Sequence, residues 1–120
     1  MKIAEVAART GLSISTIRYY ERIGLCPSIQ RGTDGKRRFS GTDADWLLLL
    51  ASLRETGMPL SDMRSFAALY ALGDETIPQR KAALSKHWQS LEERQAELDR
   101  CRAILSRKLK RYDEILEINT

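Results

Sequence analysis

Ser15-Thr16-Ile17-Arg18-Tyr19-Tyr20-Glu21 is the stretch whose reading decides the fold. It follows a glycine turn, Gly11-Leu12-Ser13, and sets two small hydroxyls, an arginine and two adjacent tyrosines close together. Such side chains suit phosphate oxygens and base edges. At about 100° per residue Arg18, Tyr19 and Tyr20 fan out over most of a helix circumference, which a plain core helix does not do. Upstream, Ile3, Val6 and Ala7 recur at helical spacing and Gly11 supplies a left-handed stop, so a first helix is expected over 3–10. Ser13 is a suitable N-cap for a second helix over 14–23, ended by Gly24. Two short helices around a glycine turn fit the helix-turn-helix template.

Downstream, Leu25 to Gln30 and Lys36 to Phe39 flank the loop Arg31-Gly32-Thr33-Asp34-Gly35, whose Asp-Gly step is a hairpin signal. The basic cluster Lys36-Arg37-Arg38 on its second arm makes this hairpin a candidate wing beside the second helix. Charge supports that placement. Residues 1–40 carry eight Lys/Arg against three Asp/Glu, residues 41–75 two against six, and residues 76–120 ten against seven. The basic excess is therefore greatest where the candidate reading helix lies, as an electrostatic footprint for nucleic acid requires.

Thr42 is expected to cap a third helix running to Thr56, with Asp43 and Asp45 in its first turn, where the helix dipole favours negative charge. Gly57-Met58-Pro59 breaks it, and a fourth amphipathic helix carries Met63, Phe66, Leu69 and Tyr70. From residue 77 the period changes. Ile77, Leu84, Leu91, Leu98, Leu105 and Tyr112 fall every seven residues. The positions four later are mixed, with Trp88, Leu109 and Leu116 apolar and Lys81, Gln95 and Arg102 polar. This is a heptad seam, about 60 Å long at 1.5 Å per residue, and it implies a coiled-coil dimer in which the polar seam positions specify register. The expected dimer contacts are Ile77, Leu84, Trp88, Leu91, Leu98, Leu105, Leu109 and Tyr112.

The chain is therefore read as mainly α, in two parts: residues 1–72, a winged helix-turn-helix DNA-binding domain with a two-helix connector, and residues 73–120, a hinge and a dimerisation helix. No apolar run approaches a membrane span, and the N-terminus has no signal-peptide core. Cys26 and Cys101 are too few and too far apart for a disulfide framework, so a reduced, cytoplasmic protein is expected. No nucleophile–base pairing, phosphate-cradling glycine loop or metal cluster is evident, which argues against an enzyme. A stand-alone coiled-coil protein would account for residues 76–120 but not for the wing.

Three stretches resemble the MerR family of transcription regulators. They are Ile3-Ala4-Glu5-Val6-Ala7 through Gly24-Leu25, Gly35-Lys36-Arg37-Arg38-Phe39, and Leu53-Arg54-Glu55-Thr56-Gly57-Met58-Pro59-Leu60. Gly73-Asp74, Thr76-Ile77, Arg80, Leu84 and His87 are similar to the aldehyde- and thiol-stress subgroup. The resemblance implies an antiparallel coiled-coil homodimer on a near-palindromic operator in double-stranded promoter DNA. It also implies bending and untwisting of that DNA, so that RNA polymerase is engaged indirectly. It assigns DNA contacts to Ser15, Thr16, Arg18 and Tyr19 on the helix. Tyr20 is assigned to packing or the DNA backbone, Lys36, Arg37 and Arg38 to the wing, and Arg54 to a second wing. Lys36 stands where the family usually has tyrosine.

The subgroup's reactive cysteine is replaced by Ser52, whose hydroxyl does no thiolate chemistry at neutral pH. Cys26 and Cys101 are either sensors or, as is commoner for lone thiols, small packing residues. His87 stands alone between Lys86 and Trp88, and soft metals want clustered thiolate and imidazole, so neither a metal nor a cofactor is expected. The alternative within DNA binders is a constitutive repressor or architectural protein without an effector.

Overall fold

A computed structural model describes residues 1–27 and 29–119. Ser28, within the first arm of the expected hairpin, and Thr120, at the end of the expected second part, lie outside the described residues. The elements are α1 (Ile3–Thr10), α2 (Ile14–Arg22), β1 (Gln30–Arg31), β2 (Arg37–Arg38), α3 (Gly41–Glu55), α4 (Leu60–Ala71), a 3-10 turn (Asp74–Thr76) and α5 (Ile77–Ile118). They fall into two compact units, Met1–Ala83 and Leu84–Thr120.

In the first unit the helix-turn-helix forms as its local signals dictate. Gly11 closes α1 in the left-handed region, at φ +75°, and its N–H donates to the Ala7 carbonyl. Ser13 caps α2, its hydroxyl accepting from the Thr16 N–H at 3.1 Å. Val6 of α1 and Ile17 and Tyr20 of α2 are buried together with Leu47, Leu50 and Leu53 of α3 and Met63 and Phe66 of α4. Trp46 joins α3 and α4 to the segment that follows α2. Its ring stacks on Phe66 and Tyr70, centroids 5.3 and 4.0 Å away, and its indole N–H donates to the Leu25 carbonyl at 2.8 Å.

The wing is a short antiparallel ladder in which Gln30 pairs with Arg38 and Arg31 with Arg37. It ends at Phe39, which is buried and exchanges backbone hydrogen bonds with Met1: Phe39 N–H donates at 2.8 Å and the Met1 nitrogen returns one at 2.7 Å. Helix α3 then begins at once, which corrects the expected cap. Ser40, not Thr42, is the N-cap. Its hydroxyl accepts from the Asp43 N–H at 3.0 Å, and the Asp43 carboxylate accepts from the Ser40 N–H at 2.8 Å. Thr42-x-x-Asp45 has the same capping-box pattern. Pairing of Phe39 with Met1 ends the extended chain two residues earlier and gives Ser40 the role.

The first unit includes the opening turns of α5, beyond the expected boundary at residue 72. Arg80 holds them: it donates to the Thr76 hydroxyl at 3.0 Å and to the Gly73 carbonyl at 3.1 Å, and its guanidinium lies 5.3 Å from the centre of the Tyr70 ring.

The second unit is helical from Leu84 to Ile118, braced along its surface by local pairs. Trp88 donates to Glu92, Gln95 to Asp99 at 3.0 Å, and Arg111 pairs with Glu114. No residue of α5 is buried. Of the expected seam, Ile77, Trp88, Leu98, Leu105, Leu109 and Tyr112 are exposed, and Leu84 and Leu91 are half-buried.

Candidate nucleic-acid interface

Helix α2 turns Ile17 and Tyr20 into the core and leaves Ser15, Arg18 and Tyr19 exposed. Three hydroxyls gather at its N-terminus. Ser13 donates to Thr16 Oγ1 at 2.8 Å, and Ser15 Oγ lies 3.1 Å from Ser13 Oγ. Thr16 is thereby half-buried in the cap, while Ser15 stays at the surface. At the other end the Arg22 guanidinium sits 5.5 Å from the centre of the Tyr19 ring, so a cation lies over an exposed aromatic face.

A cleft of about 550 Å³ brings Ser15, Thr16, Tyr19, Tyr20 and Arg54 together, with Met58 on its wall. Five of the expected contact residues, drawn from α2 and the end of α3, thus share one surface. Of its two expected roles Tyr20 takes packing, since the residue is only 1% exposed and belongs to the core. Its hydroxyl accepts from Arg54 Nη1 at 3.2 Å.

The wing supplies the remaining cations. Lys36 and Arg38 are exposed. Arg38 reaches Asp34 at 3.4 Å, a half-exposed pair within the hairpin that contributes little to stability. The turn is shaped by Gly32 N–H donating to the Lys36 carbonyl at 2.8 Å and by the Asp34 carboxylate accepting from the Lys36 N–H at 3.0 Å. Arg37 differs from its neighbours. Its Nε donates to Glu21 Oε2 at 2.6 Å, with both side chains mostly shielded, so the wing is tied to α2 by a charge-assisted bond.

Glu21, the partner of Arg37, has no assigned role in the sequence reading. The signal was present, since Glu21 is one of three acidic residues among the first forty. Its partner lies sixteen residues away, however, beyond any local pattern.

Cys26, beside the wing base, is buried. Its thiol is pushed up from the ordinary 9.0 to about 12, first by burial and then by the charges of Asp43 and Glu21. Cys101 is exposed on α5. Among the described residues no group of three or more His, Cys, Asp or Glu side chains could hold a metal ion, and no helix is long and apolar enough to cross a membrane.

A helix-turn-helix followed by a basic two-stranded wing defines the class, a winged helix-turn-helix protein. Within that class the chain belongs to the MerR family. Residues 1–68 match the MerR HTH family regulatory protein profile, and residues 44–108 match the profile described as MerR, DNA binding. It is 37% identical over 111 residues to an uncharacterised HTH-type transcriptional regulator of Haemophilus influenzae, covering 92% of this chain and 82% of the relative. It is 35% identical over 91 residues to the HTH-type transcriptional regulator AdhR of Bacillus subtilis, covering 76% and 65%. The crystal structure of HiNmlR, a MerR family regulator lacking the sensor domain and bound to promoter DNA, matches with TM-score 0.81 at 36% identity over 94% of this chain and 90% of that one. A MerR family regulator structure from Listeria monocytogenes matches with TM-score 0.83 at 34% identity, covering 94% and 86%. The family and these relatives are regulators of transcription, not enzymes.

Proposed function

We propose that this chain binds a near-palindromic operator in double-stranded promoter DNA as a homodimer and bends and untwists it to control transcription by RNA polymerase in the cytoplasm. The observation that carries the reading is the exposed set Ser15, Arg18 and Tyr19 on a helix whose other face, Ile17 and Tyr20, is locked into the core. A rigid helix presenting hydroxyl, guanidinium and phenol to solvent suits a major groove. Lys36 and Arg38 on the wing, and Arg54 beside the helix, then meet phosphates. The exposed seam of α5 supports the dimer, because contiguous apolar surface of this kind calls for a partner. Distortion of the operator costs several kcal/mol, which the contacts of two half-sites offset.

Two substitutions test the division of labour. Arg18→Ala should lose selectivity for the operator over random duplex, since a base-edge contact discriminates by about 1–3 kcal/mol. Arg38→Ala should weaken all duplexes alike and flatten the salt dependence by about one charge. Sequence-independent losses of equal size for both would overturn it. Leu91→Asp with Leu98→Asp should yield monomers with weakened operator binding, and a dimer persisting in sedimentation would remove the seam from the interface.

A second reading, regulation without an effector, is favoured by Ser52 at the place where the subgroup carries a reactive cysteine, and by the raised thiol of Cys26. In vitro transcription that responds to oxidant or aldehyde in the parent, but not in the Cys26→Ser, Cys101→Ser variant, would exclude it.

A further inference from the structure

We propose that Tyr20 and Glu21, neighbours on α2, are positioning residues that each hold one arginine of the interface in a pose ready for phosphate. Tyr20 holds Arg54 and Glu21 holds Arg37. The inference rests on the DNA-binding reading above and concerns residues that need not touch DNA at all.

Tyr20 is the firmer of the two tethers. Its ring is 1% exposed, so its hydroxyl occupies a place fixed by the core. Arg54 Nη1 donates to that hydroxyl at 3.2 Å from the last turn of α3. A long side chain otherwise free to sample many rotamers is thereby limited to poses near the cleft that contains Ser15, Thr16 and Tyr19. Glu21 does the same for the wing. Arg37 Nε lies 2.6 Å from Glu21 Oε2, and the two side chains are 24% and 21% exposed. The guanidinium has five N–H donors, and a bond through Nε leaves the Nη hydrogens for an external oxygen. The backbone of Arg37 is held in turn by its pairing with Arg31.

Tyr20 and Glu21 are consecutive on one helix, so the spacing between the two guanidinium groups is set by a rigid element rather than by loop conformation. An arginine ordered before binding loses less freedom when it meets phosphate, and affinity rises without a new contact. This also accounts for a carboxylate placed among cations. Alone it would repel phosphate, whereas paired with Arg37 it aims a cation. Arg38 and Asp34 give the contrast: that pair is about half exposed, 3.4 Å long and confined to one hairpin.

The test uses the full chain and a duplex that the parent protein selects from a randomised library, with dissociation constants measured at several salt concentrations. Tyr20→Phe keeps the ring and removes the tether. It should melt as the parent does, weaken binding about threefold to tenfold, and cause no further loss in an Arg54→Ala background. Glu21→Gln makes the protein one charge more positive, a change that by itself tightens binding. Weakening, by about twofold to fivefold, is therefore the diagnostic sign, and it should vanish in an Arg37→Ala background. Both tether variants should keep the parent's salt slope, because the number of phosphate contacts is unchanged, while Arg37→Ala should lower it by about one.

Tighter binding by Glu21→Gln would show that Glu21 competes with DNA for Arg37, and would overturn the proposal. So would a Tyr20→Phe loss that adds fully to that of Arg54→Ala. Arg54→Lys, which keeps the charge at an exposed position, should also weaken binding at constant salt slope, and decides the Tyr20 arm should Tyr20→Phe not fold. A parent protein that selects no duplex overturns the DNA-binding reading and this inference with it. A parent that binds while Arg37→Ala and Arg54→Ala are silent overturns the tethers alone.

Discussion

Iodoacetamide at pH 8 should alkylate Cys26 in the folded protein about a thousandfold more slowly than in the same chain unfolded by urea. The magnitude follows from the surroundings of the thiol. Cys26 is 4% exposed, and the rise from 9.0 to about 12 comes first from loss of hydration of the thiolate and then from the nearby carboxylates of Asp43 and Glu21. Only the thiolate reacts, and each pH unit between solution and group is a factor of ten in its population, so this rise removes about three orders of magnitude at pH 8. Quenched time courses with mass spectrometry of the peptides carrying Cys26 and Cys101 read the two sites separately, and the exposed Cys101 should be modified far sooner. The same displacement has a consequence for stability. A folded-state value above the unfolded one contributes stability that is complete below about pH 9 and is lost as pH rises toward 12. The melting temperature of the parent should therefore fall between about pH 9 and 11 more steeply than that of Cys26→Ala, which also cancels the lysines and tyrosines common to both. Alkylation of native Cys26 within tenfold of the urea rate would refute the reasoning and return this thiol to the list of sensors.

Trp46→Phe should lower the melting temperature by several degrees, because the Leu25 carbonyl loses its buried indole donor at a cost of about 1–3 kcal/mol; an unchanged circular-dichroism melt would contradict it. Ser40→Ala should cost about 0.5–2 kcal/mol in urea denaturation and Thr42→Ala less than about 0.5, and the reverse order would return the α3 cap to Thr42. Arg80→Met should destabilise the junction of α4 and α5 by about 1–3 kcal/mol, through its bonds to Thr76 and Gly73 rather than through Asp74, whose side chain is almost fully exposed. Hydrogen exchange should then accelerate over residues 73–83, and unaltered protection there would count against the latch.

The parts of this protein legible without coordinates are those whose causes lie within a few residues. Gly11 and Ser13 bracket the helix-turn-helix turn by backbone freedom and a hydroxyl cap, and both act where they were read. The seven-residue period from Ile77 to Tyr112 predicts one long helix, and α5 runs unbroken from Ile77 to Ile118. Ser15, Thr16 and Tyr19, which helical phase places near one another on α2, line one cleft with Arg54 of α3, whereas Arg18 lies outside that cleft. Tertiary structure decided what local rules leave degenerate. Ser40 and Thr42 each stand three residues before an aspartate, and only the pairing of Phe39 with Met1, 38 residues apart, selects between them. Sequence leaves Tyr20 between packing and the DNA backbone until the core closes over it, and Glu21 reads as an isolated acid until the wing folds back to place Arg37 against it. Caps and periodicity are properties of a short segment, whereas burial and ion pairing depend on which distant segments exclude water together, and no window of residues contains that information.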